Sequence, residues 1–192
     1  MPSRTEVANL ALAMVGDERV ASLDTDTSKP ARLCNEMLPQ VVDLCLVAHP
    51  WNFAVRRAAG IPALTTTPAW GFAYAYEVPA GCLRVLGLNQ PDPHEPWHRE
   101  GNILMCDVPA PIGIRYISRV TDSGAWSPHF VDLVAATLAQ RLALPLSASQ
   151  QNRATIAQLV AQARSDARAV DAAEGTPWPQ YAPAEIYLNS RY

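Results

Sequence analysis

Apolar residues recur at helical spacing near both ends of the chain and at a spacing of two in the middle. Val7, Leu10, Ala11 and Met14 follow one face of a first helix. Ser3 and Glu6 precede them in the form of a capping box: the hydroxyl accepts from the third helical N–H and the carboxylate reaches back. Gly16 suits a left-handed cap, and Val20 and Leu23 tether the loop beyond it. A second helix is predicted over residues 30–48, opened by Pro30, with Leu33, Met37, Val41, Leu44 and Cys45 as its buried stripe. Pro39 falls inside it. A proline there removes a backbone hydrogen bond and predicts a kink, at a cost of about 3 kcal/mol relative to alanine.

The segment His49-Pro50-Trp51-Asn52-Phe53-Ala54 marks the change of pattern. Pro50 cannot continue a helix and biases His49 away from helical backbone. Trp51 and Phe53 are two apart and share a face in an extended chain. Pro50, Trp51 and Phe53 therefore read as a structural hinge where a helix stops and an aromatic-anchored strand begins. From residue 51 to residue 119 the period is two. Strands are predicted over residues 53–58, at Phe72, Tyr74, Tyr76 and Val78, at Leu83, Val85 and Leu88, and at Ile112, Ile114 and Tyr116. Residues 97–106 read as a hairpin about a Glu100-Gly101 turn. Residues 65–70, 79–81 and 89–96 carry turn chemistry. The expected product is one small antiparallel sheet of four to six strands.

Helical spacing returns at Ser127-Pro128, an N-cap followed by a first-turn proline. Phe130, Leu133, Val134, Leu138 and Leu142 mark the buried face of a third helix, which Pro145 ends. Ser147 and Ser149 offer caps for a fourth helix running to about residue 173. Its stripe is Ile156, Leu159, Val160, Ala163, Ala167 and Val170. Arg153, Arg164, Asp166, Arg168 and Asp171 form its outer face. The last 18 residues hold three prolines, Trp178 and three tyrosines, with no helical period. Aromatics with an arginine are what interface anchors are made of, so an extended docking arm is expected, with a tail packed on its own bundle as the alternative.

The predicted fold class is α+β: mainly a four-helix bundle from residues 1–50 and 126–174, an inserted small antiparallel β-region at 51–125, and an extended C-terminal arm at 175–192. The 192-residue chain is 49% hydrophobic, enough for a sizeable core. A net charge of −3 is not the footprint of a protein that grips nucleic acid over a broad face. The N-terminus lacks a basic region followed by a long apolar run, and no stretch approaches a membrane span. Synthesis in a cytoplasm is expected, with Cys34, Cys45, Cys82 and Cys106 reduced and mostly buried.

Little in the sequence carries catalytic chemistry. It has no glycine-rich nucleotide motif, no phosphate loop, no Gly-x-Ser-x-Gly and no His-Glu-x-x-His. His94, His98 and Cys106 supply three potential ligands but no evident fourth. His49 has no obvious nucleophile or acidic partner nearby in sequence and reads as structural. Asp107 and Asp122 flank the last strand, with Asp122 assigned to the turn into helix three. Arg56, Arg57, Arg84, Arg115 and Arg119 cluster in the β-region, suited either to a nucleic-acid backbone or to ion pairs. Catalytic, cofactor-binding and metal residues are all expected to be absent.

Several segments, in order along nearly the whole chain, carry a resemblance. They are residues 8–16 followed by Ala21-Ser22-Leu23, then Ala31-Arg32, the His49–Ala54 hinge, and Tyr74-Ala75-Tyr76-Glu77-Val78-Pro79 with Cys82-Leu83-Arg84-Val85. Arg115-Tyr116-Ile117 with Val120-Thr121-Asp122, Phe130-Val131, Leu138-Ala139 and a terminal Arg191 complete the series. In this order they resemble the phage head-to-tail adaptor family that includes tail tubular protein A and adaptors of gene-transfer particles. The chain departs from the family pattern at Pro39, at Gly81 where an aspartate is expected, and at Tyr187 in place of a tryptophan.

The resemblance implies a non-enzymatic structural protein of the virion, made in the bacterial host cytoplasm and resident at the head–tail junction. It implies a homo-oligomeric ring, typically a dodecamer, beneath a portal protein. Double-stranded DNA would pass through it without specific binding, and a downstream tail component, nozzle or stopper, would attach to it. The portal-docking arm would use Trp178, Tyr181, Tyr187, Leu188, Arg191 and Tyr192. A head-completion or stopper protein of a long-tailed particle, a small cytoplasmic enzyme and a DNA-binding regulator are the alternatives.

Overall fold

The structure, a computed structural model, describes residues 2–89 and 95–175. Two helices, α1 (Arg4–Val15) and α2 (Lys29–Val47), come first. Six strands follow: β1 (Val55–Ile61), β2 (Tyr74–Glu77), β3 (Cys82–Leu88), β4 (Trp97–Glu100), β5 (Ile103–Cys106) and β6 (Ile112–Ser118). A short 3-10 turn at Ser123–Ala125 leads into α3 (Pro128–Leu142) and α4 (Gln150–Ala173).

Local chemistry explains most helix ends. Ser3 and Glu6 form both halves of the capping box, with Glu6 N–H donating to Ser3 Oγ at 3.2 Å and Ser3 N–H donating to Glu6 Oε2 at 2.6 Å. Gly16 takes the left-handed cap at φ 86°. Ser28, Ser127 and Ser149 cap α2, α3 and α4, and α2 runs unbroken through the exposed Pro39. The third helix stops at Leu142, three residues before Pro145.

The four helices do not make a four-helix bundle; the protein is a mixed α+β fold of four helices and two three-stranded antiparallel sheets. The reason is the position of α3. Ten of its fifteen residues are buried, including Val131, Ala135 and Ala136 outside the predicted stripe. A helix apolar around nearly its whole circumference lies at the centre. The other three helices pack on α3, while α1 and α2 barely touch each other. Trp51, Ala54 and Ile117, from the hinge and β6, complete this core.

The stripes shift accordingly. In α2 the buried set is Ala31, Cys34, Leu38, Val41, Val42, Cys45 and Leu46, whereas Leu44 is 51% exposed. Leu10, Leu159 and Val170, all predicted to face inward, are exposed. Asp171, predicted on the outer face of α4, is buried.

The β-region is two sheets, ordered β1-β6-β3 and β2-β5-β4. The hairpin loop is Gly101-Asn102, because Glu100 pairs with Ile103; Gly101 has φ 57°. Period-two alternation on β6 serves two cores. Ile117 faces the helices, whereas Ile112 and Ile114 pack with Tyr76, Val78, Val85, Leu104 and Cys106 between the sheets.

Candidate functional site

The hinge is a folded turn, not the start of a strand. Helix α2 ends at Val47, and the backbone N–H groups of Ala54 and Val55 both donate to the carbonyl of Trp51 at 2.9 Å. Strand β1 therefore begins only at Val55. Trp51 and Phe53 still meet, but across the turn: their rings stack with centroids 6.5 Å apart. Each also contacts Phe130 of α3, at 5.2 Å and 5.0 Å, in edge-on geometry favoured by the ring quadrupoles. Trp51 is fully buried, and its indole N–H donates to the carbonyl of Cys45 at 2.8 Å, taking up one of the free carbonyls at the end of α2.

The polar half of the hinge is held by α4. Asp171 Oδ1 accepts the Asn52 backbone N–H at 2.9 Å, and Asp171 Oδ2 lies 3.1 Å from His49 Nε2. The backbone carbonyl of Asp171 accepts from Asn52 Nδ2 at 2.6 Å. One turn earlier, Arg168 donates to the carbonyl of Ala48 at 3.2 Å. A carboxylate this buried is tolerable because donors satisfy it. His49 donates either as imidazolium or as the neutral tautomer with its proton on Nε2. His49 thus has the acidic partner that its sequence neighbourhood lacks.

As chemistry, this arrangement is a brace. Both oxygens of Asp171 are engaged, and two surface grooves lie elsewhere, one beside Glu6 and Arg19 and one beside Pro39 and Arg119. Asp171 was legible in principle. Ile156, Val160, Ala163 and Ala167 advance by four, three and four, and one more step of four lands on Asp171. Its charge disguises its place on that stripe.

The other candidates scatter. Cys106 is buried in the sheet core, and its thiol is pushed up by that burial; His98 is exposed on β4. His94 lies outside the described residues, and among the described residues no group of three potential ligands gathers. Asp107 accepts from Ala73 N–H, and Asp122 caps the 3-10 turn. The arginines are mostly engaged within the chain. Arg56 donates to the carbonyls of Phe53 and Val55, Arg84 to that of Val47, and Arg119 makes two bonds to Asp43. Arg57 and Arg115 oppose each other across β1 and β6.

The predicted arm residues Trp178, Tyr181, Tyr187, Leu188, Arg191 and Tyr192 lie outside the described residues. Among the described residues no helix is long and apolar enough to cross a membrane. No protein-family model matches the chain, and no curated protein matches it.

Proposed function

We propose that this chain is a structural head-to-tail adaptor of a phage or phage-like particle. In this reading, copies form a ring, probed first as a dodecamer, beneath a portal protein. The ring extends the DNA channel and carries the next tail component. The ordered series of motif segments supports the reading, and one structural observation carries it furthest. The most specific segment, at the hinge, is bound by Asp171, only four residues before the last described residue, Gly175. The end of α4 is therefore braced against the junction of helices and sheets. An arm that must find a partner loses less entropy on docking when its root is already fixed. The net charge of −3 suits a channel wall that does not retain DNA.

The test is electron microscopy of the full chain mixed with its cognate portal, beside a version cut after Thr176. The expected result is a ring below the portal for the full chain and none for the cut chain. Binding by both versions would remove the arm from the mechanism and keep the adaptor. Binding by neither would end the adaptor reading.

A further inference from the structure

Trp70 is 87% exposed, at the tip of the loop between β1 and β2. The loop is braced at both ends: Leu64 N–H donates to the carbonyl of Ala75, and Ala73 N–H donates to Asp107, each at 2.8 Å. Gly71, at φ 89°, supplies the left-handed backbone that turns the chain behind the indole. A large aromatic held out on a braced loop is unlike a stray surface leucine; it is the kind of group that anchors interfaces.

At the other end of the β-region lies an open groove of about 480 Å³. Leu38, Pro39, Val42 and Trp126 give it an apolar floor, and Arg119 and Asp43 stand at its rim. Two hydrogen bonds donated to the Asp43 carboxylate, at 2.9 and 2.7 Å, hold the Arg119 guanidinium in one plane. A planar cation beside an apolar floor suits the face of an aromatic ring.

Trp70 does not fill this groove in its own chain, where it stays exposed. Ile112 pairs with Ile61, at the end of the sheet from which the Trp70 loop springs. Ser118 bonds to Ala54 at the opposite end, next to Arg119. The seven residues of β6 between them span about 20 Å.

We infer that Trp70 of one copy of this chain docks in the Leu38–Trp126 groove of a second copy. Knob and groove are different patches at opposite ends, so the contact is heterologous: each copy offers a knob to one neighbour and a groove to the other. A constant rotation between neighbours then closes a ring. The indole buries roughly 150–250 Å², so it anchors a wider contact and does not make the whole of one. This inference concerns contacts between copies and stands without any portal contact; it would supply the ring that the adaptor reading requires.

Sedimentation of the full chain over a range of concentrations, with Trp70→Ala and Thr121→Arg beside it, tests the inference. Thr121 is exposed at the groove, so the arginine blocks entry without disturbing the core. Self-association is expected to weaken about tenfold or more in each variant, as truncation of an aromatic anchor does. A second measurement mixes Ala69→Cys and Thr121→Cys variants under oxidising conditions. Covalent dimers are expected in the mixture and not with either variant alone. A wild-type chain that stays monomeric throughout, association unchanged in Trp70→Ala, or equal cross-linking by Ala69→Cys alone would each overturn the inference. A portal-bound ring that survives Trp70→Ala would overturn it while leaving the adaptor reading intact.

Discussion

Asp171 and Asn52 are 119 residues apart in sequence and joined twice: the Asn52 backbone N–H donates to the Asp171 carboxylate, and the Asn52 amide donates to the Asp171 carbonyl. Removing the carboxylate leaves the part-buried Asn52 N–H and His49 without their acceptor. Hydrogen bonds to charged groups are worth about 1.5–3 kcal/mol each, and orphaned donors add a desolvation cost. Asp171→Ala is therefore expected to lower unfolding free energy by about 2–4 kcal/mol, measured from the urea midpoint at constant slope. Asp171→Asn keeps one acceptor and should lose less. An alanine variant as stable as the parent would show that the brace contributes nothing.

Trp51 couples the hinge to α3 through Phe130 and to α2 through Cys45. Trp51→Ala is expected to cost about 3–5 kcal/mol, in the range for large aromatic truncations in cores. Trp51→Phe preserves the ring packing but abandons the Cys45 carbonyl, so its loss should fall well below that of the alanine variant. Thermal unfolding of the two variants separates packing from hydrogen bonding.

The Asp43–Arg119 pair has good geometry, yet its side chains are 34% and 49% exposed. Solvent screens such a pair, and exposed ion pairs contribute about 0–1 kcal/mol. Asp43→Asn is expected to shift stability by less than about 1 kcal/mol, with most of that shift gone in 1 M salt. A loss comparable to that of Asp171→Ala would contradict the assignment of Asp43 as a surface partner.

Cys34 is fully buried, and burial, followed by the charge of nearby Asp17, pushes its thiol up to about 11. A pKa raised in the folded state means that the folded chain holds the proton longer. Stability from this thiol is then fully present below the unfolded value near 9 and is lost as pH rises through about 11. Unfolding free energy should decline between pH 9 and 11 with a smaller slope in Cys34→Ala. Identical slopes for parent and variant would remove Cys34 from the alkaline limb. Alkylation of Cys34 near pH 8 should be slow without denaturant, since the thiolate is the reactive form.

What could be read from the chain was local. Ser3 with Glu6, Gly16, and Ser127-Pro128 act on backbone groups within a turn, so neighbours in sequence suffice to place them. Cys34 and Cys45, eleven apart, lie buried on one helix for the same reason. The errors all required knowledge of what stands opposite. Leu44 and Leu159 fit a helical stripe as well as their neighbours did, but they remain 51% and 43% exposed. The extended reading of Trp51 and Phe53 failed because the Trp51 carbonyl captures two N–H groups and closes a turn. The bundle failed because α3 needs partners on every side, which three helices and the hinge provide together. Asp171 was missed because a charge suggests solvent until its donors, more than a hundred residues away, are known.

Strand β6 places Ile117 in the core beneath the helices and Ile112 and Ile114 in the core between the sheets. Mechanically it is a shaft seated in two bearings. Close-packed interiors deform little, so a side chain that shifts the strand in one core presses on the other. The helical layer and the second sheet thus meet through the packed side chains of one seven-residue strand, so a change of volume on either of its faces is felt by both cores.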